Sequence, residues 1–183
     1  QFISNSVRDL NNQHNWYKNS RESLEQQLGT IKEKDGIDVN KFSPRKNHNL
    51  RKSIGAQNYK GIIGTVARLS KEKQIDYILL LANVMRDFYF VIVGDGPEEK
   101  SLKGKVLDLK LDNIQFAGFQ KDTAEYYNIF DAFILASRIE GTPISIIEAM
   151  ASGVPVFSNM VGAIPDLIED KVTGFKISGD PNE

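Results

Sequence analysis

From Lys60 onward the chain repeats one unit, an apolar β-branched run of four to seven residues followed by a helical stretch. "KGIIGTVARL" leads into "QIDYILLLANVMRD", where Ile75, Ile78, Leu79 and Ala82 share one helical face. The unit returns as "FYFVIVG" with "PEEKSLKGKVLDLK", "NIQFAG" with "TAEYYNIF", "AFILAS" with "PISIIEAMASG", and "PVFSN" with "AIPDLIED", and it closes on "GFKIS". Strands that are apolar throughout, instead of alternating, belong to a parallel sheet covered on both faces. With right-handed crossovers this pattern predicts an α/β domain, a doubly wound parallel sheet of about six strands.

The remaining bounds narrow the chemistry. A length of 183 residues suits one such domain with its own core. With 40% hydrophobic and 26% charged residues and a net charge of −1, composition is that of a soluble globular chain, and no apolar run approaches the ~20 residues of a membrane helix. There is no Cys, which excludes disulfides, thiolate metal sites and Cys nucleophiles. The two His, His14 and His48, fall in the polar N-terminal part, so zinc and Ser-His chemistry are disfavoured. Residues 1–60 hold 11 Lys/Arg against 6 Asp/Glu, which leaves 12 against 18 in residues 61–183. A basic segment thus precedes an acidic body. No stacking aromatics cluster beside the basic charge, so it reads as solvated surface and not as a nucleic-acid patch. Residues 1–59 read as a lead-in or interdomain segment, with a helix expected from Ser20 to Lys34 and turns at "KDGID" and "FSPRKN"; residues 60–183 form the domain.

In a sheet of this kind ligands bind beyond the carboxyl ends of the strands, so the residues after each strand carry the functional reading. After the first strand, Arg68 and Lys73 lie where the chain leaves the sheet, beside the positive end of the next helix. They suit a diphosphate, or else are solvent-facing charges beside Glu72. After the second, "GDGPEEK" lacks the third glycine of a dinucleotide fingerprint, and Asp95 reads as a turn-shaping residue. After the third, "AGFQKD" offers Phe119 to a flat ligand, with a core role for that ring as the alternative.

After the fourth strand comes "SRIEGTPISIIEAMASGVPV". Thr142 reads as a helix N-cap with Pro143 at the first helical position, which puts Glu140 in the loop and Glu148 about a turn and a half inside the helix. Ile144, Ile147 and Ala151 form the apparent apolar stripe, with Glu148 at its margin. A carboxylate there is costly unless it is paired or waits for a ligand's hydroxyls. The free N–H groups at about residues 142 to 145 make an anion seat. Two carboxylates also occur in glycosidases, but those face each other across a sugar, whereas here one lies well up the helix.

Several of these motifs, in this order over residues 61–177, resemble the C-terminal, nucleotide-sugar-binding domain of a retaining glycosyltransferase of the GT-B fold, most like glycosyltransferase family 4. The carriers are the pair Glu140/Glu148 in "EGTPISIIEAMASGVPV", the pair Arg68/Lys73 in "GTVARLSKEK", and the phrases "VIVGDGPE", "FAGF", "VGAIPDLIEDKVTGF" and "GIDVNKF". The resemblance implies a Rossmann-like half of a GT-B fold. It further implies that Arg68 and Lys73 hold the donor diphosphate and neutralise the leaving group, Glu148 binds the ribose hydroxyls and Glu140 contacts the transferred sugar. Backbone of Gly141, Thr142, Pro143, Ile144 and Ser145 would meet the distal phosphate and sugar, and the loop at Phe119 and Gln120 would hold the base.

The implied donor is a nucleotide-diphosphate sugar, UDP or GDP, with no metal and no other cofactor, and the sequence has no DxD motif. The family's pattern is broken at Gln74, where Gly is usual, at "GTPIS" for a Gly-Phe-Gly phrase, and at Asp166 for Glu. The family's acceptor domain and C-terminal helices are not in the sequence, so the chain is expected to bind nucleotide weakly without turnover, a glycan or lipid-linked acceptor belonging to the other domain. A cytoplasmic location is expected, peripheral membrane association of the full-length protein being compatible with it. The alternatives are a nonhydrolysing sugar-nucleotide epimerase, whose His-containing signature is absent, and a noncatalytic nucleotide-sugar-binding module.

Overall fold

The computed structural model describes residues 37–45 and 47–177; the helix expected at Ser20 to Lys34 lies outside them. The first element is α1 (His48–Ser53), capped by Asn47, whose side chain accepts from the Leu50 N–H at 3.0 Å. A short 3₁₀ turn, Ala56–Asn58, leads into the sheet.

Six strands follow: β1 (Ile62–Val66), β2 (Tyr89–Val93), β3 (Ile114–Gly118), β4 (Ala132–Leu135), β5 (Val156–Ser158) and β6 (Phe175–Lys176). Between them lie α2 (Ile75–Val84), α3 (Glu99–Asp108), α4 (Ala124–Tyr127), α5 (Ile144–Ala151) and α6 (Ile164–Leu167). All neighbouring strands are parallel, in the order β3-β2-β1-β4-β5-β6, so the expected doubly wound α/β sheet is present.

The unbroken apolar runs are explained by burial on both faces. Ile62, Val91, Val93, Phe133, Leu135 and Val156 point into one core with α4, α5 and α6. Their strand neighbours Ile63, Phe90, Ile92, Ala132, Ile134 and Phe157 point into the other, under α2 and α3. The α2 face predicted from spacing is the buried one: Ile75, Ile78, Leu79 and Ala82 are each at most 2% exposed. Phe42 and Ala56, from the segment read as lead-in, are buried in the first of these cores.

The helix after β4 corrects two expectations. It begins at Ile144, with Pro143 at the cap position (φ −81°, ψ 84°) and no side-chain cap from Thr142. Its buried residues are Ile146, Ile147, Ala149 and Met150, while Ile144 is 38% exposed, so the stripe Ile144, Ile147, Ala151 is not the face that packs. "ISIIEAMA" is apolar at nearly every position, and such a segment does not announce which side meets the sheet.

Candidate functional site

The strand order reverses at the centre, because the chain runs outward from β1 through β2 to β3 and then returns to place β4 on the other side of β1. The loops after β1 and β4 leave the sheet on either side of this reversal, the place where sheets of this kind bind ligands, and they bear Arg68, Lys73 and Glu140.

Four contacts tie these two loops together. The Arg138 N–H donates to Glu72 O at 2.8 Å. Lys73 Nζ meets Glu140 Oε1 at 2.6 Å, with the two side chains only 21% and 7% exposed. Gln74, its amide oriented to satisfy both ends, donates to Ala136 O at 2.8 Å and accepts from Arg138 Nε at 3.1 Å. Gln74 does this from the left-handed region (φ 47°, ψ 45°), a conformation costly to a residue with a Cβ and cheap to glycine. That explains why glycine suits this position and what the glutamine offers in return, a clasp onto the next loop.

The rest of the β1 loop is held from below. Ser70 Oγ donates to Glu72 Oε1 at 2.6 Å. That bond, with the Glu72 backbone N–H and the charges of Arg68 and Lys73, holds the Glu72 carboxyl below its usual range. The Leu69 N–H donates to the backbone Asp95 O at 2.7 Å and the Glu98 N–H to Leu69 O at 3.0 Å, so "GDGPE" is the wall behind the Arg68 loop. Gly94 permits the approach: at φ +129°, an added Cβ would lie 2.1 Å from Ala67 O. Arg68 itself is exposed at the rim. Of the pair once open to reading as solvent-facing charges, Arg68 fits that description and Lys73 does not.

The β4 loop is fixed from its other side by the loop after β5. Asn159 Nδ2 donates to Ala136 O at 3.0 Å and to Ser137 O at 3.1 Å. Gly162, left-handed at φ +59°, packs so close to Glu140 that a Cβ would sit 1.9 Å from its carbonyl oxygen. Gly141, Thr142 and Ile144 stay exposed, Ser145 is half-buried and Pro143 is buried, so the backbone before α5 lines the strand-end surface around its proline.

Glu148 is engaged elsewhere, on the flank of α5. Tyr127 Oη lies 2.9 Å from Glu148 Oε2 and 3.1 Å from Ser145 O. The ring is fully buried, 5.8 Å from both Phe42 and Phe130 and 5.7 Å from Phe133 between centroids. Burial pushes the Glu148 carboxyl up, against the Tyr127 hydrogen bond and the Lys41 charge, which pull it down. Burial first, then the neighbouring Glu148, drive the Tyr127 hydroxyl well above its ordinary range.

At the sheet's edge, pairing between β2 and β3 slips past Ala117, and the chain delivers Phe119 to the surface at 70% exposure. A core role for Phe119 is thereby excluded. Gln120 Nε2 donates to Ala117 O at 2.7 Å, folding its side chain back on the same loop.

Sequence reading thus named both members of the Lys73–Glu140 pair without foreseeing their contact. It missed Tyr127, Asn159 and the Gln74 clasp; only Gln74 left a signal, as a departure from an expected glycine. Among the described residues no group of three or more His, Asp or Glu side chains is placed to hold a metal ion, and no helix is long and apolar enough to cross a membrane. A cleft of about 610 Å³ lies at the opposite edge, before β4 and β5, lined by Arg45, Arg51, Asp131 and Ser152.

Comparison with known proteins agrees with the fold. The model of the family described as "Glycosyl transferases group 1" matches residues 42–182. A "GDP-mannose-dependent alpha-mannosyltransferase" of Corynebacterium glutamicum is 36% identical over 143 residues, covering 76% of this chain and 33% of that protein. An "Alpha-monoglucosyldiacylglycerol synthase" of Streptococcus pneumoniae is 33% identical over 138 residues, covering 72% of this chain and 31% of that protein. Among solved structures, Anabaena HepE in complex with UDP and glucose superposes with a TM-score of 0.74 at 28% identity, over 81% of this chain and 43% of that one. The chain spans about a third of the length of these two curated relatives.

Proposed function

Because this chain belongs to the glycosyl transferases group 1 family, we propose that it is the donor half of a retaining glycosyltransferase of the GT-B fold, which moves a hexose or related sugar from a nucleotide diphosphate to a glycan or lipid acceptor. The observation that carries the reading is the desolvated Lys73–Glu140 contact across the point where the strand order reverses. Solved relatives bound to UDP or UDP-glucose support a nucleotide-sugar ligand.

The chain's own groups suffice to describe the step. Glu140 occupies one of the three donors of the Lys73 ammonium, which leaves two for diphosphate oxygens. Arg68, exposed on the same loop, closes on the phosphates as a planar fork, and the N-terminus of α5 adds its partial positive charge. As the bond from the sugar's anomeric carbon to the diphosphate breaks, these fixed charges stabilise the negative charge left behind. A new bond from that carbon to the acceptor oxygen forms on the same face, and the acceptor's proton passes to the departing phosphate. Glu148 takes the ribose hydroxyls and Glu140 lies beside the transferred sugar. The Phe119–Gln120 loop lies against the base. Donor and acceptor sites meet between two domains in this fold, so this chain alone binds nucleotide without turnover.

Calorimetric titration of the chain with UDP, GDP and ADP, with and without magnesium, tests the reading. One nucleotide should be preferred, insensitive to magnesium, and bound about tenfold or more weakly by both Arg68→Ala and Glu148→Ala. Binding untouched by either variant, or no binding by a folded chain, would overturn it.

A further inference from the structure

Arg138 stands two positions before Glu140 on the β4 loop, and the function proposed above gives it no task. The residue is exposed, yet it is held at two points. Its backbone N–H donates to Glu72 O at 2.8 Å, and its Nε donates to the Gln74 side-chain oxygen at 3.1 Å. Gln74 is itself fastened, through its amide nitrogen, to Ala136 O at 2.8 Å. That carbonyl also accepts from Asn159 Nδ2 at 3.0 Å, so the guanidinium hangs from a hook anchored at the end of β4.

Two features mark this arrangement as functional. Gln74 makes it from the left-handed region, at φ 47°, where glycine would be free of strain, and strain of this kind persists where it fixes a geometry that matters. Among the described residues, moreover, Arg138 has no carboxylate partner, whereas Lys73 on the facing loop is paired with Glu140. With Nε committed to Gln74, the two terminal nitrogens remain. Their parallel N–H groups form the fork that takes both oxygens of one carboxylate or phosphate. The hook has already restricted the side-chain freedom that a loose arginine would lose on binding. Because Glu140 is read as lying beside the transferred sugar, a ligand group that reaches Arg138 belongs to that sugar or to the acceptor next to it.

We infer that Arg138 is a specificity-determining residue that binds an oxyanion other than the donor diphosphate, either a carboxylate on the transferred sugar or a phosphate on the acceptor. Gln74 is a positioning residue that acts through Arg138. This rests on the reading of the β1 and β4 loops as the donor site.

The two sources of the oxyanion are tested separately. Calorimetry on the chain compares UDP-glucose with UDP-glucuronate, and GDP-mannose with GDP-mannuronate. An acidic sugar on the donor should bind about tenfold or more tightly than its neutral counterpart in one of the pairs. Arg138→Met should bring that ratio to about one, and Gln74→Gly should lower it part of the way. The ratio is the readout because a loop merely loosened by either substitution would weaken both sugars alike. The acceptor source is read by NMR of the ¹⁵N-labelled chain with UDP or GDP already bound, so that the diphosphate seat is filled. Mannose 6-phosphate should shift the Arg138 Nε–H signal, identified by its loss in Arg138→Met, and mannose should leave it in place. A ratio near one in both pairs together with a silent Nε–H signal would overturn the inference alone, and so would an acidic preference that Arg138→Met leaves unchanged. A folded chain that binds no nucleotide and no nucleotide sugar would overturn the donor-site reading with it.

Discussion

The two ends of the sheet treat charge and space in opposite ways. At the amino ends of β4 and β5 there is an open cleft with Arg51 Nη1 2.9 Å from Asp131 Oδ2, both side chains partly exposed, at 27% and 38%. At the carboxyl ends of β1 and β4 the loops clasp each other, and the Lys73–Glu140 pair is drier, at 21% and 7%. The first pair has a structural task, since Asp131 Oδ2 also accepts the Ile62 N–H at 2.7 Å and anchors the start of β1. The second pair serves no strand. If the proposed donor site is right, convergence of desolvated charge at a topological break is a better guide to it than an empty volume.

The comparison is broken most easily by removing the cation at each end. Lys73→Ala leaves a buried carboxylate without a partner and should cost about 3–5 kcal/mol of unfolding free energy in urea titration. Arg51→Ala, at a more exposed pair, should cost about 0–1 kcal/mol. Adding Glu140→Gln to Lys73→Ala should recover most of the larger loss. Equal losses at the two ends would erase the distinction.

A smaller effect is expected at Gln74. Gln74→Ala keeps the left-handed strain and loses the clasp, whereas Gln74→Gly loses only the clasp, so the glycine variant should be the more stable of the two by about 1 kcal/mol in the same assay. The reverse order would mean that the loop relaxes away from the left-handed conformation.

The smallest effect belongs to Glu148. Its folded-state pKa is raised, so the folded chain holds a proton that the unfolded chain has given up, and stability falls as pH rises from the unfolded value through the folded one. Glu148→Gln removes that dependence. Its melting temperature should match the parent's at about pH 4 or below and exceed it above the Glu148 midpoint. A difference independent of pH would assign the effect to packing.

What could be read in the sequence follows from the range of the interactions involved. The six strands were legible because burial on both faces writes itself as unbroken apolar runs, as in "YFVIV" and "AFIL". The α2 face was legible because its polar residues interrupt the pattern at Asp76 and Asn83. On α5 too few polar residues break the run, and the packed face was misread. The candidate residues Arg68, Lys73, Glu140 and Glu148 were named through their position after strands and their ordered motifs. Their partnerships were not: Lys73 meets Glu140 across 67 positions, and Tyr127 reaches Glu148 from a four-residue helix with no pattern of its own.

The central claim, a donor site at the carboxyl edge of the sheet, is tested most directly by mapping amide chemical-shift changes as UDP or GDP is titrated into the ¹⁵N-labelled chain. The account predicts changes concentrated at Arg68–Gln74, Ala117–Gln120 and Arg138–Glu148, with the residues around Arg51, Asp131 and Ser152 unmoved. Changes centred on that opposite cleft, with the Lys73–Glu140 loops silent, would contradict it.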